Sequence, residues 1–211
     1  MNKIKYLNDL KNLLIENGEK EKDIQAAIKY AENLINLNLP VIFDKYHFAA
    51  LVGMENVELA NIMVHLEEKY YRKAEIEKKN GGMREILIPA MKLRIVQRWI
   101  LKNILYNIRV SDYAMGFRKK YSIATNAKIH TGKKCVVNMD LKDFFPSITQ
   151  KQVFQIFYYY GYTIDVSYLL SRLCTHEGRV PQGAPTSPYL SNIICLKLDK
   201  RLSKLAEKCE A

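Results

Sequence analysis

Apolar residues recur at intervals of three and four through the first 70 positions. Leu7, Leu10 and Leu14 share one face of a helix that Gly18 would stop, and Ile24, Ala27, Ile28, Ala31, Leu34 and Ile35 define a second helix ending near Pro40. Leu59, Ile62, Met63 and Leu66 carry the period through 57–70. These stripes read as core faces. From Tyr71 the period changes: Ala74, Ile76, Ile86 and Ile88 lie in β-like runs around KKNGG at 78–82, a hairpin signal because Asn-Gly tolerates positive φ. Beyond Pro89, Val96, Ile100, Ile104 and Ile108 predict a helix by their spacing of four, with Arg94, Arg98 and Lys102 on a second stripe. A polar, basic stretch follows, read as a loop and then a short helix beginning near Ser122, on which Asn126 and His130 would share a face.

The segment VVNMDLKDFFPSI, at 136–148, predicts a strand that turns Val137, Met139 and Leu141 inward and ends on Asp140, on the opposite, open face. Ser147 or Thr149 can cap the next helix, through Val153, Ile156 and Phe157, and the run FYYYGY at 157–162 reads as packing. A helix from Ser167 to Cys174, the Pro- and Gly-rich EGRVPQGAPTSP, and a long helix with Ile194, Leu198, Leu202, Leu205 and Cys209 on one face complete the order. Helices around β elements make the fold class α+β.

Composition adds a partner class. The 211-residue chain is 48% hydrophobic, enough for a sizeable core, and its net charge of +11 favours a polyanion, either nucleic acid or an acidic membrane surface. Charge alone is also compatible with a solvated basic surface, as are Lys78, Lys79 and Arg84 at the hairpin tip. The cysteines, at 135, 174, 195 and 209, form no Cys-x-x-Cys pair, so neither a zinc site nor a disulfide framework is expected. No leader-like or membrane-spanning run is evident, and the expectation is a cytoplasmic protein without a membrane partner.

Two segments carry candidate chemistry. Nucleotidyl transfer uses two metals about 4 Å apart, and a carboxylate on a sheet surface such as Asp140 can hold them. In the turn after it, the amides of Asp143 and Phe144 can form an anion nest, and Phe145 is bulky enough to exclude a 2′-hydroxyl. An Asp-x-x-Asp pair alone also suits a loop or a helix cap. VPQGAPTSPYLSN, at 180–192, sets Gln182 and Gly183 between two prolines, where a rigid loop can present an amide to a nucleotide.

In this order, VNMDLKDFFPSI resembles motif A of reverse transcriptases, and VPQGAPTSPYLSN resembles motif B of the bacterial enzymes. GGMREILIPAMKLRIVQRWIL and GFRKKYSIATNA resemble the finger motifs that precede them, so the similarity runs from about Tyr71 onward. NAKIH at 126–130 is similar to the Asn-Ala-x-x-His signature of the retron branch. The resemblance implies a right-hand polymerase fold: an N-terminal helical region at 1–70, fingers at 71–132 and a partial palm at 133–211, with the thumb absent. It implies Mg²⁺ chemistry with Asp140 as the catalytic, metal-binding carboxylate beside the Leu141 carbonyl. Asp143 and Phe144 would contact the triphosphate, Phe145 would gate the sugar, and Lys79, Arg84, Gln182 and Gly183 would bind the incoming dNTP. Arg94, Arg98, Arg118, Asn126 and His130 would touch template, primer or a structured retron RNA.

The resemblance further implies a DNA product, and a role in defence against phage through an effector protein. The family completes its metal site with a Tyr-x-Asp-Asp hairpin, and the sequence ends at Ala211 without one; Asp165 and Asp199 are poor substitutes. The chain alone is therefore expected not to polymerise. Rival readings are a group II intron or other defence-lineage reverse transcriptase, and a non-catalytic RNA-binding module. A primase is disfavoured by Phe145.

Overall fold

The computed structural model describes residues 3–77, 81–118 and 121–209. Helices α1 (Lys3–Glu16) and α2 (Glu21–Asn36) pack on one another, separated by Gly18 at φ +74°. The inner face of α2 buries Ile24, Ala31 and Leu34, as the three-and-four spacing predicts. Helix α3 (Lys45–Val52) starts where the Asp44 carboxylate accepts from the His47 amide at 2.7 Å, and it stops at Gly53 in the left-handed region. Helices α4 (Asn56–Val64) and α5 (Leu66–Lys69) add Leu59, Ile62 and Leu66 to the core.

Strands β1 (Tyr71–Glu77) and β2 (Met83–Pro89) pair antiparallel from Tyr71↔Pro89 to Glu77↔Met83. The hairpin prediction holds, with Gly81 and Gly82 both at positive φ; Lys78, Lys79 and Asn80 lie outside the described residues. Helix α6 (Met91–Asn103) then buries Leu93, Val96, Gln97 and Ile100, and a 3₁₀ turn at Leu105–Asn107 continues its apolar face. These residues form one core with Phe48, Val153, Phe157, Tyr162, Leu170 and Leu190. The hydroxyl of Tyr162 donates to the Pro40 carbonyl at 3.0 Å, tying the N-terminal helices to the second half of the chain.

That half consists of short helices: α7 (Ile123–Lys128), α8 (Phe144–Ser147), α9 (Gln150–Tyr159), α10 (Ile164–Leu173), α11 (Ser187–Ile194) and α12 (Leu196–Lys208). Thr149, not Ser147, caps α9, in a capping box with Gln152, and α10, capped by Thr163, starts at Ile164, three residues before the predicted Ser167. The fold is α+β, with one two-stranded sheet among the described residues.

Three expectations are corrected. The stretch leading to Asp140 forms no strand, and its apolar residues do not turn inward: Val137 is 75%, Met139 78% and Leu141 53% exposed. A strand needs a neighbour to take up its amides and carbonyls, and no described segment pairs with this one. The run FYYYGY packs only in part: Phe157 and Tyr162 are buried and Tyr160 lies half-buried against the core, whereas Tyr158 and Tyr159 are exposed because they fall on the outer side of α9 and its end. The long final helix breaks at Cys195, and Leu198, Leu202 and Leu205 are exposed because no described element covers that face of α12.

Candidate active site

A cleft of about 850 Å³ opens where three segments distant in sequence converge: β2 at 83–87, the turn at 140–146 and the loop at 176–182. Arg84 enters from β2, Asp140, Leu141, Asp143, Phe144 and Phe145 from the turn, and Gln182 from the loop. The convergence is held by backbone contacts. The Leu87 amide donates to the Gln182 carbonyl at 2.7 Å, and the Val180 amide donates to the Ile148 carbonyl at 2.9 Å. The guanidinium of Arg179 donates to the Pro146 carbonyl at 2.8 Å, and the amide of Gln150 donates to the Gly178 carbonyl at 2.8 Å. One loop is thus stitched to the hairpin on one side and to the acidic turn on the other.

Gly183 explains how close the hairpin comes. A β-carbon at that position would stand 2.6 Å from both Ile86 Cγ2 and the Leu87 carbonyl oxygen, and its φ of +117° is one that side chains rarely adopt. Only glycine lets the loop pass under β2. Gly183 therefore lies beside the cleft and shapes it, next to Gln182 on its wall.

Asp143 takes the left-handed conformation, φ 48° and ψ 40°, immediately before the right-handed turn of α8. Successive residues of opposite hand aim successive amides to one side, the geometry of an anion nest. The Asp143 carboxylate caps nothing, and the rings of Phe144 and Phe145 lie 5.5 Å apart, partly buried against the core. Charge in the cleft is mixed: Arg84, Lys142 and Arg179 face Glu85, Asp140, Asp143 and Glu177. Glu85 is engaged by Lys73 at 3.3 Å, and Arg84 forms no ion pair with a described residue. Beneath the loop, His176 is buried edge-on to Tyr71, and the Tyr71 hydroxyl accepts from Gln97 at 2.7 Å. Burial pushes the Tyr71 phenol upward, so it stays neutral.

A divalent metal would find few ligands. Asp140 and Leu141 stand together on the wall, but among the described residues no group of three His, Cys, Asp or Glu side chains could hold an ion. Asp165 and Asp199, on α10 and α12, do not line the cleft.

Several predicted site residues lie elsewhere. Lys79 is outside the described residues. Arg94 donates to the Pro89 carbonyl at 3.0 Å and Arg98 is exposed on α6. Arg118 donates to the carbonyls of Ser111 and Ala114 and lies 4.3 Å over the Tyr121 ring. Helix α7 begins where predicted, with Ser122 as its cap, but it stops at Lys128, so exposed Asn126 is helical while exposed His130 sits in the following turn. Sequence reasoning missed Lys142, His176, Glu177 and Arg179. The only signal was their adjacency to the two motifs, because their meeting depends on the Arg179–Pro146 contact.

A family description, reverse transcriptase (RNA-dependent DNA polymerase), matches residues 76–209. The chain is 39% identical to the Retron Ec86 reverse transcriptase of Escherichia coli over 175 residues, covering 82% of this chain and 54% of that protein. It is 41% identical over 157 residues to the Retron Mx162 reverse transcriptase of Myxococcus xanthus, covering 66% and 32%, and 31% identical over 210 residues to the Retron Mx65 reverse transcriptase of the same organism, covering 90% and 49%. The chain thus spans about half, or less, of the length of these relatives. With the matched region running from the hairpin through both walls of the cleft to α12, the chain belongs to the reverse transcriptase family, and retron enzymes are among its relatives.

Proposed function

We propose that the chain forms the nucleotide-binding half of a retron-type RNA-directed DNA polymerase. In this reading 1–70 is a helical N-terminal region, 71–132 the fingers and 133–211 part of the palm of a right-hand polymerase. The observation that carries it is the convergence of Arg84, the Asp140–Phe145 turn and Gln182 on one cleft.

The residues divide the work by their chemistry. The Arg84 guanidinium, in no ion pair with a described residue, is suited to grip phosphate oxygens in a fork. The amides of Asp143 and Phe144 donate to triphosphate oxygens and stabilise their charge by their dipoles. Phe145, beside them, excludes a ribose 2′-hydroxyl by bulk, and Gln182 holds the nucleotide from the opposite wall. Lys79 would assist Arg84, while Arg94, Arg98, Arg118, Asn126 and His130 would serve the template, primer or structured RNA outside the cleft. Mg²⁺, held by Asp140 and the Leu141 carbonyl with ligands that the described residues do not supply, would activate the attacking hydroxyl and offset triphosphate charge. A retron RNA as template and primer scaffold and a DNA product belong to the same proposal, which relatives named as retron reverse transcriptases support; a cytoplasmic setting and an effector partner in phage defence are proposed with them.

Two measurements test it. Filter binding of labelled dATP to the 211-residue chain should weaken about tenfold or more in Arg84→Ala, the loss of one charge-assisted contact; unchanged binding would remove Arg84 from the site. In the full-length gene product, Asp140→Asn should lower primer extension on RNA by at least about 100-fold, and Phe145→Ala should admit ribonucleotides. Full activity in Asp140→Asn would sink the catalytic assignment.

A further inference from the structure

A second groove, of about 1010 Å³, lies between α9, α12 and the segment that follows the 3₁₀ turn. It shares no lining residue with the nucleotide cleft. Its rim carries Arg109, Lys197, Lys200 and Lys204, and its walls present Tyr113 and Tyr159. We propose that this groove binds a single strand of nucleic acid, with the lysines on successive phosphates and an unpaired base stacked on Tyr159.

Among the described residues the acids of the groove are already engaged, and its three lysines form no ion pair with them. Asp112 pairs with Arg109 at 3.1 Å, an exposed pair of little worth, and Glu207 accepts from the Ser203 hydroxyl at 3.3 Å. Lys197, Lys200 and Lys204 are exposed and form no ion pair with a described residue. Their spacing of three and four places them on one face of α12, separated along the axis by about 4.5 and 6 Å. A flexible backbone can follow such a row, which is the electrostatic half of single-strand binding.

The aromatic half is Tyr159. It is 81% exposed at the end of α9, although its neighbour Phe157 is fully buried, and the ring is braced edge-on by Tyr160 at 5.3 Å. A rigid, open aromatic face costs little to order on binding and accepts any base. Tyr113 has a different duty. Its hydroxyl is hydrogen-bonded to that of Ser203 at 2.8 Å, tying the 109–113 segment to α12 across the groove. An acidic protein segment would use the lysines but would gain nothing specific from the stacking ring, and the chain's net charge of +11 fits the polyanion.

The inference shares with the proposed function only the class of partner, and the test separates them. Fluorescence anisotropy of the 211-residue chain with labelled 12-nucleotide RNA and DNA oligomers, across a salt series, is compared between wild type and Lys197→Ala/Lys200→Ala/Lys204→Ala. Losing three phosphate contacts should reduce the slope of log K against log salt by about two. Tyr159→Ala should weaken binding by about fivefold to 100-fold. Replacing all three lysines by arginine should preserve binding, which guards against misfolding as the cause, and dATP binding in the cleft should not change in any variant. Preference for the RNA or the DNA oligomer identifies the strand. An unchanged salt slope in the triple-alanine variant overturns the proposal, as does poly-glutamate competing equally well while Tyr159→Ala has no effect. Loss of dATP binding in Arg84→Ala with oligomer binding intact would leave this groove standing apart from the cleft.

Discussion

At the residue scale, Gly183 is where local chemistry has the largest reach. Its missing β-carbon allows the loop bearing Gln182 to pass beneath Ile86 and Leu87, and the 2.7 Å bond from the Leu87 amide fixes the hairpin to that loop. Gly183→Ala would meet backbone at 2.6 Å as well as an unfavourable φ. A cost of about 1–3 kcal/mol in urea unfolding is expected, together with weaker dATP binding as β2 is pushed from the cleft. Full stability and full binding in that variant would refute the role given to the contact. Asp143 is the counter-example of a side chain in the left-handed region that is not glycine. Its sequence neighbours announce a turn, but only the backbone shows that the turn changes hand between Asp143 and Phe144, which is what makes a nest.

At the element scale, the base of the hairpin is braced by a contact between α5 and α10. The guanidinium of Arg172 donates to both oxygens of Glu67, at 2.6 and 3.3 Å. Those hydrogen bonds hold the Glu67 carboxyl below its ordinary value of 4.5, against a partial desolvation that pushes it up. The sign follows from linkage: a depressed carboxyl adds stability above the unfolded-state value, and that contribution fades as pH falls through the lower folded-state value. Urea midpoints measured from pH 7 down to 3 should therefore fall more steeply below about pH 4.5 in the wild type than in Glu67→Gln. Parallel curves would show that the pair contributes nothing to acid sensitivity. The helices themselves were legible from spacing and caps, as with Thr149, one of two cap candidates, and the α6 stripe. The strand before Asp140 was not, because alternation specifies which faces a strand would present and cannot supply the neighbour that makes it one.

At the scale of the whole molecule, two apolar surfaces have no cover among the described residues: the 136–141 segment and the Leu198–Leu202–Leu205 face of α12. Contiguous exposed apolar surface favours association, so sedimentation velocity should show concentration-dependent oligomers that Leu202→Glu disperses. A monomer at all concentrations in the wild type would contradict this. The sequence by itself determined the helical periods, the hairpin, the basic charge and the two motifs, because each is written in residue types a few positions apart. It also carried the family resemblance, for the same reason. Only the tertiary structure decided that Arg84, Asp140 and Gln182 share a cleft, that Lys142, His176, Glu177 and Arg179 join them, and that Lys197 to Lys204 face Tyr159 across a separate groove. These are meetings between residues tens of positions apart, set by the buried core and by a few backbone hydrogen bonds that no local pattern records.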